Sequence, residues 1–170
     1  MNAREVLRTV GGVLLGAALV FAGSSHLWWA REEFQAQVPP WHPFDADFVV
    51  VSSGVVEIVL GLALLAGWGR FRPLVGAVVA AFFVAIFPGN VAQWIEGRDA
   101  FGLDSDAARF ARLWFQPLLV VWALWSSGAW RWWQLAVQLL TGATSTGSAT
   151  RLRLLLSDGG NCARLRVWLR

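Results

Sequence analysis

Residues 48–68 read FVVVSSGVVEIVLGLALLAGW, and this stretch decides the fold. Its only ionisable residue is Glu57. The roughly 30 Å hydrocarbon core of a bilayer is crossed by about 20 mostly apolar residues in a helix. Working outward, three more runs meet the same test: residues 10–29, 74–94 and 110–130. The second and third runs are joined by the tight Gly69-Arg70-Phe71-Arg72-Pro73 turn. An acidic loop from Glu96 to Arg109 separates the third from the fourth. The expected fold is all-α, an integral membrane four-helix bundle over residues 1–133. A basic cytoplasmic tail, 134–170, follows it. The small polar stretch Thr141 to Thr150 reads as a linker. Arg151 to Leu156 and Arg164 to Leu169 are basic and apolar, and read either as segments lying on anionic lipid or as part of a poorly ordered tail.

Composition agrees. The chain of 170 residues is 56% hydrophobic and 15% charged, with a mean hydropathy of +0.52. A soluble domain carries more charge and shorter apolar runs. All 14 basic residues are arginine, and 12 tryptophans stand beside no tyrosine. The Ala, Gly and Arg bias points to a bacterial source, hence a bacterial inner membrane.

Arginine placement sets the expected orientation. Arg4, Arg8, Arg70, Arg72, Arg131, Arg151, Arg153, Arg164, Arg166 and Arg170 fall on one side; Arg31, Arg98, Arg109 and Arg112 fall on the other. Glu32, Glu33, Asp45, Asp47, Glu96, Asp99, Asp104 and Asp106 accompany the smaller set. The positive-inside rule then puts both termini in the cytoplasm. Trp28, Trp29, Trp94 and Trp114 mark the outer boundary, and Trp68, Trp130, Trp132 and Trp133 the inner one, as an aromatic belt. Arg4 and Arg8, the first apolar run and Ala22-Gly23-Ser24 also match a signal peptide. Its long apolar run and the charge balance favour a retained span.

Five polar positions lie where they are expensive: His26, Glu57, Asn90, Arg112 and Gln116. Ionisable groups inside a membrane face the bundle interior or a cavity. Gly12, Gly16, Leu19, Gly23 and His26 share one helical stripe. Gly12 and Gly16 form a small-xxx-small pair that lets backbones approach. Ser53, Glu57 and Gly61 share a stripe on the second run, as do Arg112, Gln116, Leu119, Ala123 and Ser126 on the fourth. Pro88 frees a carbonyl one turn earlier for a neighbouring donor. At 1.5 Å per residue Glu57 lies roughly 13 Å below the outer end, Gln116 roughly 10 Å, and the others roughly 5–7 Å. Four helices thus bring polar groups to similar depth, which one buried cluster explains. Arg112 is the expected partner of Glu57 or of a bound anion. The cluster reads either as glue between helices or as a site for a small molecule or proton.

Other chemistries find no support. Cys162 is the sole cysteine, so there is no internal disulfide or Cys-x-x-Cys pair. His26, His42 and Glu57 lack metal-ligand spacing. There is no nucleophile elbow, phosphate loop, dinucleotide fingerprint or nucleic-acid motif.

The same residues carry a family resemblance. Ala22-Gly23-Ser24-Ser25-His26, Val38-Pro39, Ser53-Gly54-Val55-Val56-Glu57 with Gly61 and Leu64-Leu65, Phe87-Pro88-Gly89-Asn90-Val91, Arg112-Leu113-Trp114-Phe115-Gln116 and Trp122-Ala123 occur in that order. Over residues 10 to 130 the chain resembles the DoxX family of small bacterial four-helix membrane proteins. It departs in having Leu27 between His26 and Trp28. It also has Trp114 where the family has a proline, with Pro117 after Gln116. The resemblance implies an accessory subunit of a membrane redox or oxidative-stress complex, not an enzyme by itself, with a redox protein as partner. The alternatives are a quinone- or lipid-binding protein or oxidoreductase using the polar cluster, and a small transporter or proton path. Beyond the bilayer itself the sequence names no partner, and quinone is the candidate cofactor.

Overall fold

The computed structural model describes residues 2–67, 69–130 and 137. Trp68, Trp132, Trp133, the remaining arginines after Trp130 and the tail over 134–170, Val137 excepted, lie outside the described residues. Every regular element among those described is helical. The order is α1 (Ala3–Leu27), α2 (Arg31–Gln35), α3 (Ala46–Leu65), a 3-10 turn (Gly69–Phe71), α4 (Arg72–Ile95), α5 (Asp106–Leu113) and α6 (Phe115–Ser127).

Local chemistry sets these ends. Asn2 and Glu5 cap α1 reciprocally: each backbone N–H donates to the other side chain, at 3.0 and 2.9 Å. Asp45 accepts from the N–H groups of Asp47 and Phe48 at the start of α3. Ser105 does the same for Ala108 in α5. Gly128, at φ 84°, closes α6 in the left-handed conformation that suits glycine.

Helices α1, α3 and α4, of 25, 20 and 24 residues, are long and apolar enough to cross a membrane. Their exposed faces are apolar: Val13, Leu14 and Phe21 on α1, Val59 and Leu62 on α3, Val78 and Val84 on α4. In water such faces oppose folding; against lipid tails they cost nothing. The fourth expected span differs. The single run over 110–130 is two helices meeting at Trp114, and the first begins inside the expected acidic loop, at Asp106. Pro117 is the cause. It has no N–H to give the Leu113 carbonyl four residues back. Trp114 keeps right-handed helical angles, so the chain passes from α5 to α6 without a loop.

Helices α1 and α3 run antiparallel, and α4 packs chiefly on α6. Gly16 meets Gly61 and Gly23 meets Gly54. A Cβ at Gly61 would stand 2.6 Å from the Gly16 carbonyl oxygen, and one at Gly16 2.9 Å from that of Gly61. Seven residues are two turns, so both contacts recur on one face of each helix. The expected Gly12–Gly16 pair is thus corrected. A Cβ at Gly12 would meet only Arg72 Nη2, at 3.5 Å, whereas Gly16 and Gly23 make the close approach. Leu15, Leu19, Leu64, Val79, Phe83, Ala123 and Leu124 form the buried core beneath the polar level.

Candidate functional site

The glycine contacts place the first two polar residues. With no side chain at Gly54, the His26 ring settles against α3, since a Cβ there would lie 2.6 Å from that of His26. His26 Nδ1 stands 3.2 Å from the Val50 carbonyl oxygen and 3.1 Å from Ser53 Oγ. Its Nε2 faces Glu57 Oε2 at 3.6 Å. Both side chains are buried, and Glu57 Oε2 has no hydrogen-bond partner.

Helices α4 and α6 place the next two. Asn90 Nδ2 donates to Gln116 Oε1 at 3.0 Å, and Gln116 Nε2 donates to the Phe83 carbonyl at 2.6 Å. The carbonyl freed by Pro88 belongs to Val84, four residues back. The Gln116 donor lands on its neighbour instead.

Arg112 is not the partner of Glu57. Its Nη1 donates to Gln93 Oε1 at 3.3 Å. With the Gln37 amide turned so that its oxygen faces the guanidinium, it accepts from Nη2 at 2.5 Å and Nη1 at 2.8 Å. The guanidinium carbon lies 4.7 Å from the centre of the Phe101 ring, a cation–π contact. Among the described residues no carboxylate lies within ion-pair distance of it. The reason is position. Arg112 lies on α5, before the break at Trp114, and reaches the outer segments rather than α3.

Those outer segments cover the cluster. The Phe34 ring lies over His26 with centres 3.5 Å apart, and Phe101 meets Phe34 edge-on at 4.6 Å. Arg98 Nη1 donates to the carbonyls of Val38 at 2.9 Å and Ala36 at 3.3 Å. Glu33 accepts from the Phe101 N–H at 2.6 Å. Arg31 binds Asp47 through Nε at 2.5 Å and again through Nη2, tying α2 to the start of α3. Gln37 can cross α4 closely because residue 89 is glycine; a Cβ there would stand 2.5 Å from the Gln37 backbone carbonyl oxygen. Phe101 itself has φ 56°, an uncommon angle for a bulky residue, and is contacted by Phe34, Glu33 and Arg112.

Beneath this cover lies a cavity of about 910 Å³. All five expected residues line it: His26, Glu57, Asn90, Arg112 and Gln116. Its walls are otherwise mostly apolar, with Leu19, Phe82, Phe83, Ile86 and Leu119 among them. Phe21 and Phe115 also line it while largely exposed, so the cavity reaches the surface of the bundle. His42 and Trp41, from the proline-rich loop, stand at its edge. Among the described residues no group of three His, Cys, Asp or Glu side chains is placed to hold a metal ion.

Several contributors were not singled out from sequence. Gln93 is almost wholly buried, at 1% exposure. It lies one helical turn beyond Asn90 inside an expected span, which was a readable signal. Phe34, Gln37 and Phe101 come from connecting segments whose return over the bundle has no local signature.

A family model described as "Domain of unknown function (DUF8561)" matches residues 15–127, an interval that contains all five cavity residues. No curated protein and no solved structure matches the chain.

Proposed function

Because the chain belongs to the DUF8561 family, whose description carries no activity, we propose its role from the cavity: it binds a membrane-soluble molecule with a polar head and an apolar body. The observation that carries this is the cavity's division. Polar groups from α1, α3, α4, α5 and α6 converge at one level, with apolar walls around them. Its volume falls in the range of roughly 300–1,000 Å³ found for small-molecule sites. The exposed Phe21 and Phe115 at its margin give a lipid-soluble guest a route that avoids water. Quinones and lipids have the required two-part character.

In this reading α5 and α6 together make the fourth crossing of an inner-membrane bundle in a bacterium. Joined through Trp114 they span 22 residues, about 33 Å at helical rise. The arginine count supports cytoplasmic termini. The resemblance to the DoxX family supports the same site, since its motif residues His26, Ser53, Glu57, Pro88, Asn90, Arg112 and Gln116 line the cavity.

The test is mass spectrometry of the protein extracted in its native lipid, wild type beside Ala22→Trp. Ala22 lines the cavity, so the larger ring takes up part of its space without replacing any of the five polar side chains. A lipophile retained by wild type and absent from a folded Ala22→Trp supports the proposal. Equal retention, or none in either, contradicts it. A second reading, an accessory subunit of a redox complex, draws on the exposed Trp28, Trp29, Trp41 and Phe44 near the outer end. It expects a stoichiometric protein partner in the same extract.

A further inference from the structure

Most of the polar groups facing this cavity are already engaged. Asn90 donates to Gln116, Gln116 to Phe83, His26 contacts Val50 and Ser53, and Arg112 holds Gln93 and Gln37. Glu57 Oε2 is the exception. It belongs to a side chain 6% exposed, lines the cavity, and has no hydrogen-bond partner. His26 Nε2 is 3.6 Å away, beyond hydrogen-bonding distance. A buried polar atom without a partner is costly, and native proteins rarely keep one without a reason.

We propose that the guest carries a hydroxyl group, phenolic or alcoholic, that donates to Glu57 Oε2. This rests on the reading of the cavity as a binding site and names the head group it takes. A carboxyl oxygen keeps lone pairs whether or not the group is protonated, so a donor complements it in both forms. An ammonium head is disfavoured because the Arg112 guanidinium lines the same space, and a second cation among apolar walls is expensive. A carbonyl-only head, such as an oxidised quinone, can only accept and so complements the group in its protonated form alone, whereas a hydroxyl, donor and acceptor at once, complements both forms. A hydroquinone, an alkylphenol or a long-chain alcohol brings what the atom lacks.

The experiment uses the full chain in lipid nanodiscs with 4-nonylphenol and nonylbenzene, which share ring and chain and differ in the hydroxyl. Affinities are expressed per mole fraction in lipid, for wild type and Glu57→Leu. The expected result is a preference of wild type for the phenol of about tenfold or more, abolished in Glu57→Leu. Equal binding of the two compounds by wild type overturns the hydroxyl proposal and leaves the binding reading standing. So does a preference that persists in Glu57→Leu. No binding of either compound overturns both. If Glu57→Leu does not fold, the wild-type ratio decides alone.

Discussion

Gly61 and Gly12 look alike in the sequence, each a glycine on the stripe of a long apolar helix. Their surroundings differ. A Cβ at Gly61 meets the Gly16 carbonyl at 2.6 Å and the backbone of Val20 at 2.9 Å, while one at Gly12 meets only a flexible arginine tip at 3.5 Å. Backbone cannot move aside as a side chain does, so Gly61→Ala forces α1 and α3 apart. The expected cost is about 1–3 kcal/mol. Gly12→Ala is expected to be neutral or stabilising by up to about 1 kcal/mol, from helix propensity. Chemical unfolding in detergent micelles reads both. Equal effects at the two positions contradict the antiparallel glycine contact. The stripes were legible from the 3.6-residue period. Which glycine of a stripe touches backbone was not, because that depends on where the partner helix crosses.

At the scale of elements, the cover over the cavity is held by few bonds. Arg98 gives one nitrogen to two carbonyls of the 36–38 segment, and its own carbonyl accepts from Gln93. Arg98→Ala removes the side-chain contacts and leaves the helices untouched. Amide exchange over residues 34–38 should then quicken by roughly tenfold or more, the equivalent of about 1.5–3 kcal/mol for bonds from a charged donor. Exchange in α1 and α3 should not change. Unchanged exchange at 34–38 means that Arg98 does not hold the cover. The long helices could be read from hydropathy because lipid demands about 20 apolar residues in a row. The break at Trp114 had a visible cause in Pro117, yet apolar length outweighed it. The short α2 and the path of 98–103 obey no such demand, since their positions come from contacts between residues distant in sequence, Glu33 with Phe101 and Ala36 with Arg98.

For the whole molecule, the five polar residues expected to cluster do line one space, but with different pairing. Burial on packing faces was readable from period and depth. The pairings were not. The seven-residue glycine repeat turns His26 toward Glu57, and the interruption before Pro117 swings Arg112 away from both. The outcome is a bundle whose apolar outer faces suit lipid and whose polar-headed cavity holds an unpartnered carboxyl oxygen.

If the cavity takes a guest from the bilayer, a photoreactive alkylphenol, added to membranes containing the full chain and activated by light, will mark the cavity wall. Once the crosslinked residues are mapped, they are expected at Leu19, Phe83, Ile86 and Leu119, competed away by excess unreactive alkylphenol. Crosslinks confined to the outward faces at Val13, Leu14, Val59 and Leu118, and unaffected by competitor, would mean that the guest stays outside the cavity.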